Sequence, residues 1–148
     1  MHFSNKERIT YLIVFLLLFF SGIIWLFLHY FCNYYGEFGL ETHPMESKVL
    51  ALHGIVAIFS TFLFGYIWGT HARQRLKMKS KKNKKSGIAI SVTLTILCIT
   101  AGILYYIGND KIRQITSIAH WVMGIALFFI IILHIFTKIS KKKKKMIH

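Results

Sequence analysis

Four long apolar runs separated by polar or charged segments dominate the chain, at about residues 9–32, 48–70, 87–107 and 117–137. A helix rises about 1.5 Å per residue, so about 20 apolar residues cover the hydrocarbon core of a bilayer. The pattern predicts an all-α membrane protein, a four-transmembrane-helix up-down bundle forming a single membrane domain over residues 1–148. The first run exceeds the apolar stretch of about 7–15 residues in a signal peptide, and no small-residue cleavage site follows it. It is expected to be a retained span with Tyr30, Tyr34 and Tyr35 as interface anchors at its far end. A polar stretch over 33–47, holding Glu37, Glu41, His43, Glu46 and the only proline, Pro44, is long enough to fold over the mouth of the bundle. A turn at Gly108 to Asp110 begins the short connection into the last run.

Composition agrees. Hydrophobic residues make up 55% of the 148, above the usual share of about 45–50% for soluble domains. The net charge of +14 would suggest nucleic acid in a soluble protein, but its distribution argues otherwise. Sixteen of the nineteen basic residues fall in three segments: the N-terminus with Lys6 and Arg8, the basic loop 71–86, and the tail 138–148 with Lys138 and Lys141 to Lys145. Four of the five acids fall in the other two connections. By the positive-inside rule both termini and the basic loop are expected to be cytoplasmic, in a bacterial-type inner (cytoplasmic) membrane. The lysine runs are expected to meet anionic lipid headgroups, worth about 1 kcal/mol per residue near the surface, and no nucleic acid. Cys32 and Cys98 form no C-x-x-C pattern, which leaves a thiol redox pair, a zinc knuckle and covalent haem attachment without support. Ser60, Thr61 and Thr70 lack a histidine–carboxylate partner, so no hydrolytic site is indicated.

Histidines are the exception to the apolar runs. His120 and His134 are fourteen residues apart, an advance of about 1400°, which returns them to within about 40° of one face, roughly 21 Å apart. His53 and His71 are eighteen residues apart, five full turns of a regular helix at about 3.6 residues per turn. Since the second and fourth spans run the same way through the bilayer, His53 pairs in depth with His120, and His71 with His134. A single membrane imidazole commonly makes a helix-to-helix hydrogen bond worth only about 0.6 kcal/mol. Four that pair by height and face suit a haem iron, which takes axial nitrogens above and below a flat apolar ring held between helices. Gly54, Gly65, Gly69 and Gly124 would let a ring approach the backbone, or would serve close helix packing, since Gly65 and Gly69 form a G-x-x-x-G.

These features resemble the small four-helix transmembrane b-type cytochromes, of the bacterial cytochrome b561-like kind and of the cytochrome b subunits of hydrogenases and formate dehydrogenases. The resemblance covers the architecture of most of the chain, and its specific element is the histidine spacing of the last span. It implies two non-covalent haem b groups with His53, His120, His71 and His134 as axial ligands to iron, and electron transfer between a quinone and another redox partner. That makes the chain an electron-transfer subunit or quinone-linked oxidoreductase, alone, as a homo-oligomer or within a larger redox complex. Arg73, Arg75, Lys111 and Arg113 could hold haem propionates. The step from His53 to His71 rises about 27 Å against about 21 Å for the other pair, so loosening of the second helix around Gly69, or slanted haems, must absorb the difference. The inner pair is thus the less secure, with His2 a distant substitute partner. Two other classes stay open: a metal-binding membrane protein using the same imidazoles with His43 and the loop glutamates, and a cofactor-free membrane anchor or assembly subunit.

Overall fold

The computed structural model describes residues 4–37, 39–74 and 84–146, with 71, 72, 84 and 136–146 described by backbone alone. His2, the basic loop from Arg75 to Asn83, the side chain of His71 and the side chains of the tail lysines lie outside what is described. The chain divides into two compact units, Met1–Tyr66 and Ile67–His148. It carries four helices long and apolar enough to cross a membrane.

In the first unit, α1 (Asn5–Phe31) starts at a capping box: the Ser4 hydroxyl accepts from the Glu7 amide at 3.2 Å, and the Glu7 carboxylate accepts from the Ser4 amide at 2.7 Å. This reciprocal pair satisfies two of the orphan donors that every helix start leaves. Strands β1 (Tyr34–Gly36) and β2 (Gly39–Glu41) follow, and α2 (Glu46–Ile67) completes the unit. Three side-chain contacts tie α1 to α2: Tyr66 donates to Glu7 at 3.4 Å, His53 meets Ser21 at 3.0 Å, and His29 meets Glu46 at 2.7 Å. As the position on one helix rises the other falls, so the two run antiparallel.

The connection expected as a polar stretch is thus partly a β-hairpin. Tyr34 pairs with Glu41, Tyr35 with Leu40 and Gly36 with Gly39. Gly39 has φ +111°, a conformation that side chains with a Cβ rarely adopt. A Cβ at Gly36 would collide with the Glu41 carboxylate. Tyr34 donates to Glu41 at 3.0 Å, and that bond, followed by the carboxylate's charge, raises the phenol above its ordinary pKa. A raised folded-state value means the contact is intact below the unfolded tyrosine pKa of about 10 and is lost as pH climbs through the folded one. Subtracting the ultraviolet titration of Tyr34→Phe from that of the native chain should give a phenol titrating late. Glu41→Gln should return it to the ordinary range, and an unmoved midpoint in that variant would refute the assignment.

The second unit begins with a π-helical turn, Trp68–Ala72, that continues α2. After it come α3 (Lys84–Tyr106) and α4 (Asp110–Met146). The last helix starts at Asp110 rather than near Ser117, because Asn109 caps it: its Oδ1 accepts from the Ile112 amide at 3.1 Å. Only 107–109 therefore join α3 to α4, which forces them to lie side by side.

Burial is inverted relative to a water-soluble protein. The buried polar residues are Ser21, Ser91, Thr93, Thr100 and Thr116, and Leu127 is the one buried apolar side chain among the described residues. Large apolar groups face outward instead, with Phe62 75% and Ile115 70% exposed. In hydrocarbon no hydrophobic force draws apolar side chains inward, so helix contacts are made by small and hydroxyl-bearing residues while Leu, Ile and Phe meet lipid. Ser91 and Thr100 also bond carbonyls of the preceding turn through their hydroxyls, at 3.0 and 2.9 Å, so burying them leaves neither hydroxyl without a partner.

Candidate cofactor-binding site

His53, His120 and His134 each meet a hydroxyl on the helix beside them. In the first unit His53 Nδ1 lies 3.0 Å from Ser21 Oγ. In the second, His120 Nδ1 lies 2.7 Å from Thr100 Oγ1, and His134 Nδ1 lies 2.8 Å from Ser86 Oγ. All three imidazoles are half-buried.

Each hydroxyl also reaches a carbonyl of its own helix: Ser21 Oγ lies 3.1 Å from the Leu18 oxygen, and Thr100 Oγ1 lies 2.9 and 3.1 Å from those of Ile96 and Leu97. A hydroxyl that spends its proton on such a carbonyl accepts from a ring Nδ1–H, and a neutral imidazole has one N–H, so that tautomer leaves Nε2 with the lone pair, the form that binds a metal. A hydroxyl, carbonyl or carboxylate holding the second nitrogen of an iron- or zinc-bound histidine plays this orienting role in metal sites.

Sequence reading missed these partners because α3 carries no ionisable group in its apolar stretch. The signal was present as spacing. Ser86 and Thr100 are fourteen residues apart, the separation of His120 and His134. Midway between them on each helix lie Thr93 and Leu127, which are 6% and 3% exposed. A seven-residue recurrence on two antiparallel helices marks a continuous seam, and the histidines sit at both ends of this one.

On α1, Gly22 makes room for the His53 ring: a Cβ there would lie 3.1 Å from its Cε1 and 3.4 Å from its Nδ1. Alanine at this position must push the imidazole off its rotamer, at about 0.5–1.5 kcal/mol, and disturb the Ser21 bond. At Gly65 a Cβ would meet no atom within 4 Å among the described residues, so alanine there keeps its helix-propensity gain of up to about 1 kcal/mol. Gly22→Ala is expected to unfold in detergent about 1 kcal/mol more easily than Gly65→Ala, read by thermal scans of circular dichroism. Equal midpoints would show that the ring does not rest on Gly22.

The remaining expectations divide as follows. His53 belongs to the first unit, and His120 and His134 to the second. His71 lies in the π-turn at Trp68–Ala72, where the helix does loosen beside Gly69. Bonds of the i to i+5 type take more residues per turn, so the count of five regular turns from His53 to His71 does not carry through. Gly54, Gly69 and Gly124 resemble Gly65 in having no atom near a built Cβ among the described residues, so close packing through the G-x-x-x-G pair is not what they serve there. Among the described residues no group of three or more His, Cys, Asp or Glu side chains converges as a metal site; His43 Nδ1 instead accepts the Met45 amide at 3.2 Å. Two buried indole N–H groups, of Trp25 and Trp121, have no hydrogen-bond partner among the described residues. No protein-family model matches this chain, and no curated protein or solved structure shows significant similarity to it.

Proposed function

We propose that the protein is a multi-pass membrane cytochrome that binds two haem b groups non-covalently and passes electrons through the bilayer, between a quinone and a second redox partner. The observation that carries this reading is the recurring contact of a membrane imidazole, through Nδ1, with a hydroxyl that also reaches a helix carbonyl, at His53 and at His120. With Nδ1 turned to a hydroxyl on both, Nε2 is the nitrogen that would serve as a neutral ligand. The ligands would be His53, His120, His71 and His134. The residues present fit such a group: His53 and His120 carry imidazoles with a hydroxyl behind Nδ1, and Trp25 and Trp121 add buried donors close in sequence to Ser21 and His120 that a propionate or a bound water could use.

Haem, when bound, supplies one-electron chemistry; the chain supplies its ligands, their orientation and a dry surrounding that sets the potential. The basic segments support an orientation with both termini and the loop 71–86 in the cytoplasm, and hence residence in a bacterial-type inner membrane with anionic headgroups against the lysines. Metal binding outside haem has less support, since no cluster of ligands converges among the described residues.

A second reading draws on the same bonds. Thr100–His120 and Ser86–His134 lace α3 to α4, which a cofactor-free anchor or assembly subunit would also use, at about 0.6 kcal/mol each. Counting haem per chain by the pyridine haemochrome of purified, detergent-solubilised protein separates the two. The cytochrome is expected to be red with two haems per chain. A helical, colourless protein that gains none from added haemin would establish the anchor.

A further inference from the structure

Where the first unit begins, the opening turns of α1 and the closing turns of α2 line an open cleft of about 370 Å³, bounded by Lys6, Glu7, Thr10, Tyr11, Leu63 and Tyr66. That size falls among small-ligand sites, which run from about 300 to 1,000 Å³. The α1 residues are spaced i, i+1, i+4 and i+5, and Leu63 and Tyr66 are i and i+3 on α2, so each helix turns one face to the cleft. At 27 residues α1 rises about 40 Å, more than the hydrocarbon thickness of about 30 Å. Its charged first turns therefore emerge among the lipid headgroups, and the cleft sits at the boundary of the bilayer.

The lining sets opposite charges side by side. Lys6 is exposed, and Glu7 is the one acid in the three basic segments of the chain. Glu7 Oε2 accepts the Ser4 amide at 2.7 Å and is spent on the capping box. Its Oε1 is met by the Tyr66 hydroxyl at 3.4 Å, long for an O–H···O bond, which prefers about 2.7–2.8 Å. A carboxylate has about four lone-pair sites, so Oε1 keeps the capacity for a short bond from a cationic N–H. Leu63 and the two tyrosine rings complete the lining with apolar surface, and such rings favour the membrane boundary.

We propose that this cleft binds the headgroup of a phosphoethanolamine lipid from the surrounding bilayer. The Lys6 ammonium takes the phosphate, Glu7 Oε1 accepts from the lipid's primary ammonium, and Leu63 with the tyrosine rings lies against the start of the acyl chains. The inference needs only the membrane-spanning helices and not the haem. Lysine runs attract anionic headgroups through net charge, but an anionic headgroup here would gain Lys6 and be repelled by Glu7. A choline headgroup carries the same two charges yet has no N–H to give, so it forgoes the charge-assisted bond, roughly twice as strong as a neutral one. A primary ammonium joined to a phosphate by a short linker is the headgroup that uses both side chains.

Native mass spectrometry of the full-length, detergent-solubilised protein, titrated with phosphatidylethanolamine, phosphatidylcholine or phosphatidylglycerol, tests the site. One phosphatidylethanolamine is expected to bind about tenfold more tightly than either of the others. Glu7→Gln retains an acceptor for the Ser4 amide, so the capping box survives, and it should abolish that preference. Lys6→Gln should weaken phosphatidylethanolamine and phosphatidylcholine alike. Soluble phosphoethanolamine, which has the headgroup without the chains, should fail to displace the lipid at equal concentration. Full displacement by it would make a soluble solute the occupant and overturn the lipid site. Equal binding of the three lipids by the native chain, tighter binding of phosphatidylglycerol, or a preference that survives Glu7→Gln overturns it as well.

Discussion

Replacing His120 by alanine is expected to remove one of the two haems from each chain while leaving the helices in place. On the cytochrome reading the imidazole would be a ligand to iron, whereas its bond to Thr100 Oγ1 at 2.7 Å is worth only about 0.6 kcal/mol to helix association. Loss of colour and loss of fold are thus decoupled by the sizes of the two effects. His53→Ala is likewise expected to cost the chain a haem, and the double variant to keep its helices. His134→Ala should remove the other haem. Haem counts with circular dichroism on the three single variants and the double variant check this. If all four variants keep native colour, the imidazoles are helix-packing groups.

The second large effect is expected from a residue that touches no cofactor. Thr100→Val keeps shape and removes the hydroxyl that meets His120 Nδ1, a loss of about 1–3 kcal/mol for a buried hydrogen bond. Partners of this kind, standing behind a metal ligand, typically govern about 10–100-fold in metal affinity, so Thr100→Val should lose haem about 10–100-fold more readily than the native chain, whereas Thr100→Ser should retain it. The midpoint potential should rise in the valine variant, since the hydrogen bond makes the imidazole more basic and favours oxidised iron. Haem transfer to a scavenging apoprotein and a redox titration measure the two quantities. Equal retention in valine and serine variants would remove Thr100 from any role beyond packing.

The large features are legible in the order of residues. The four apolar runs become the four long helices because no shorter or more polar segment could satisfy its backbone in hydrocarbon. The histidines stand out because imidazole is rare there. Ser86, Thr93 and Thr100 do not, since hydroxyls are common in apolar helices and usually bond their own backbone; only the antiparallel contact of α3 with α4 turns them into partners. From sequence His29 reads as a wet interface residue and Glu46 as part of a connector. Their pairing depends on α1 and α2 converging at that end, which no local pattern announces.

By itself, then, the sequence determines which segments are apolar enough to cross a bilayer and which imidazoles are carried among them, because transfer free energy and helical period are properties of the chain read residue by residue. Tertiary structure alone decided which hydroxyl each imidazole meets, which of its nitrogens faces that hydroxyl, and that the second helix widens at Trp68–Ala72. Those outcomes depend on distances of about 3 Å between residues far apart in the chain, and hydrogen bonds are too short-ranged for any pattern along one strand of sequence to encode them.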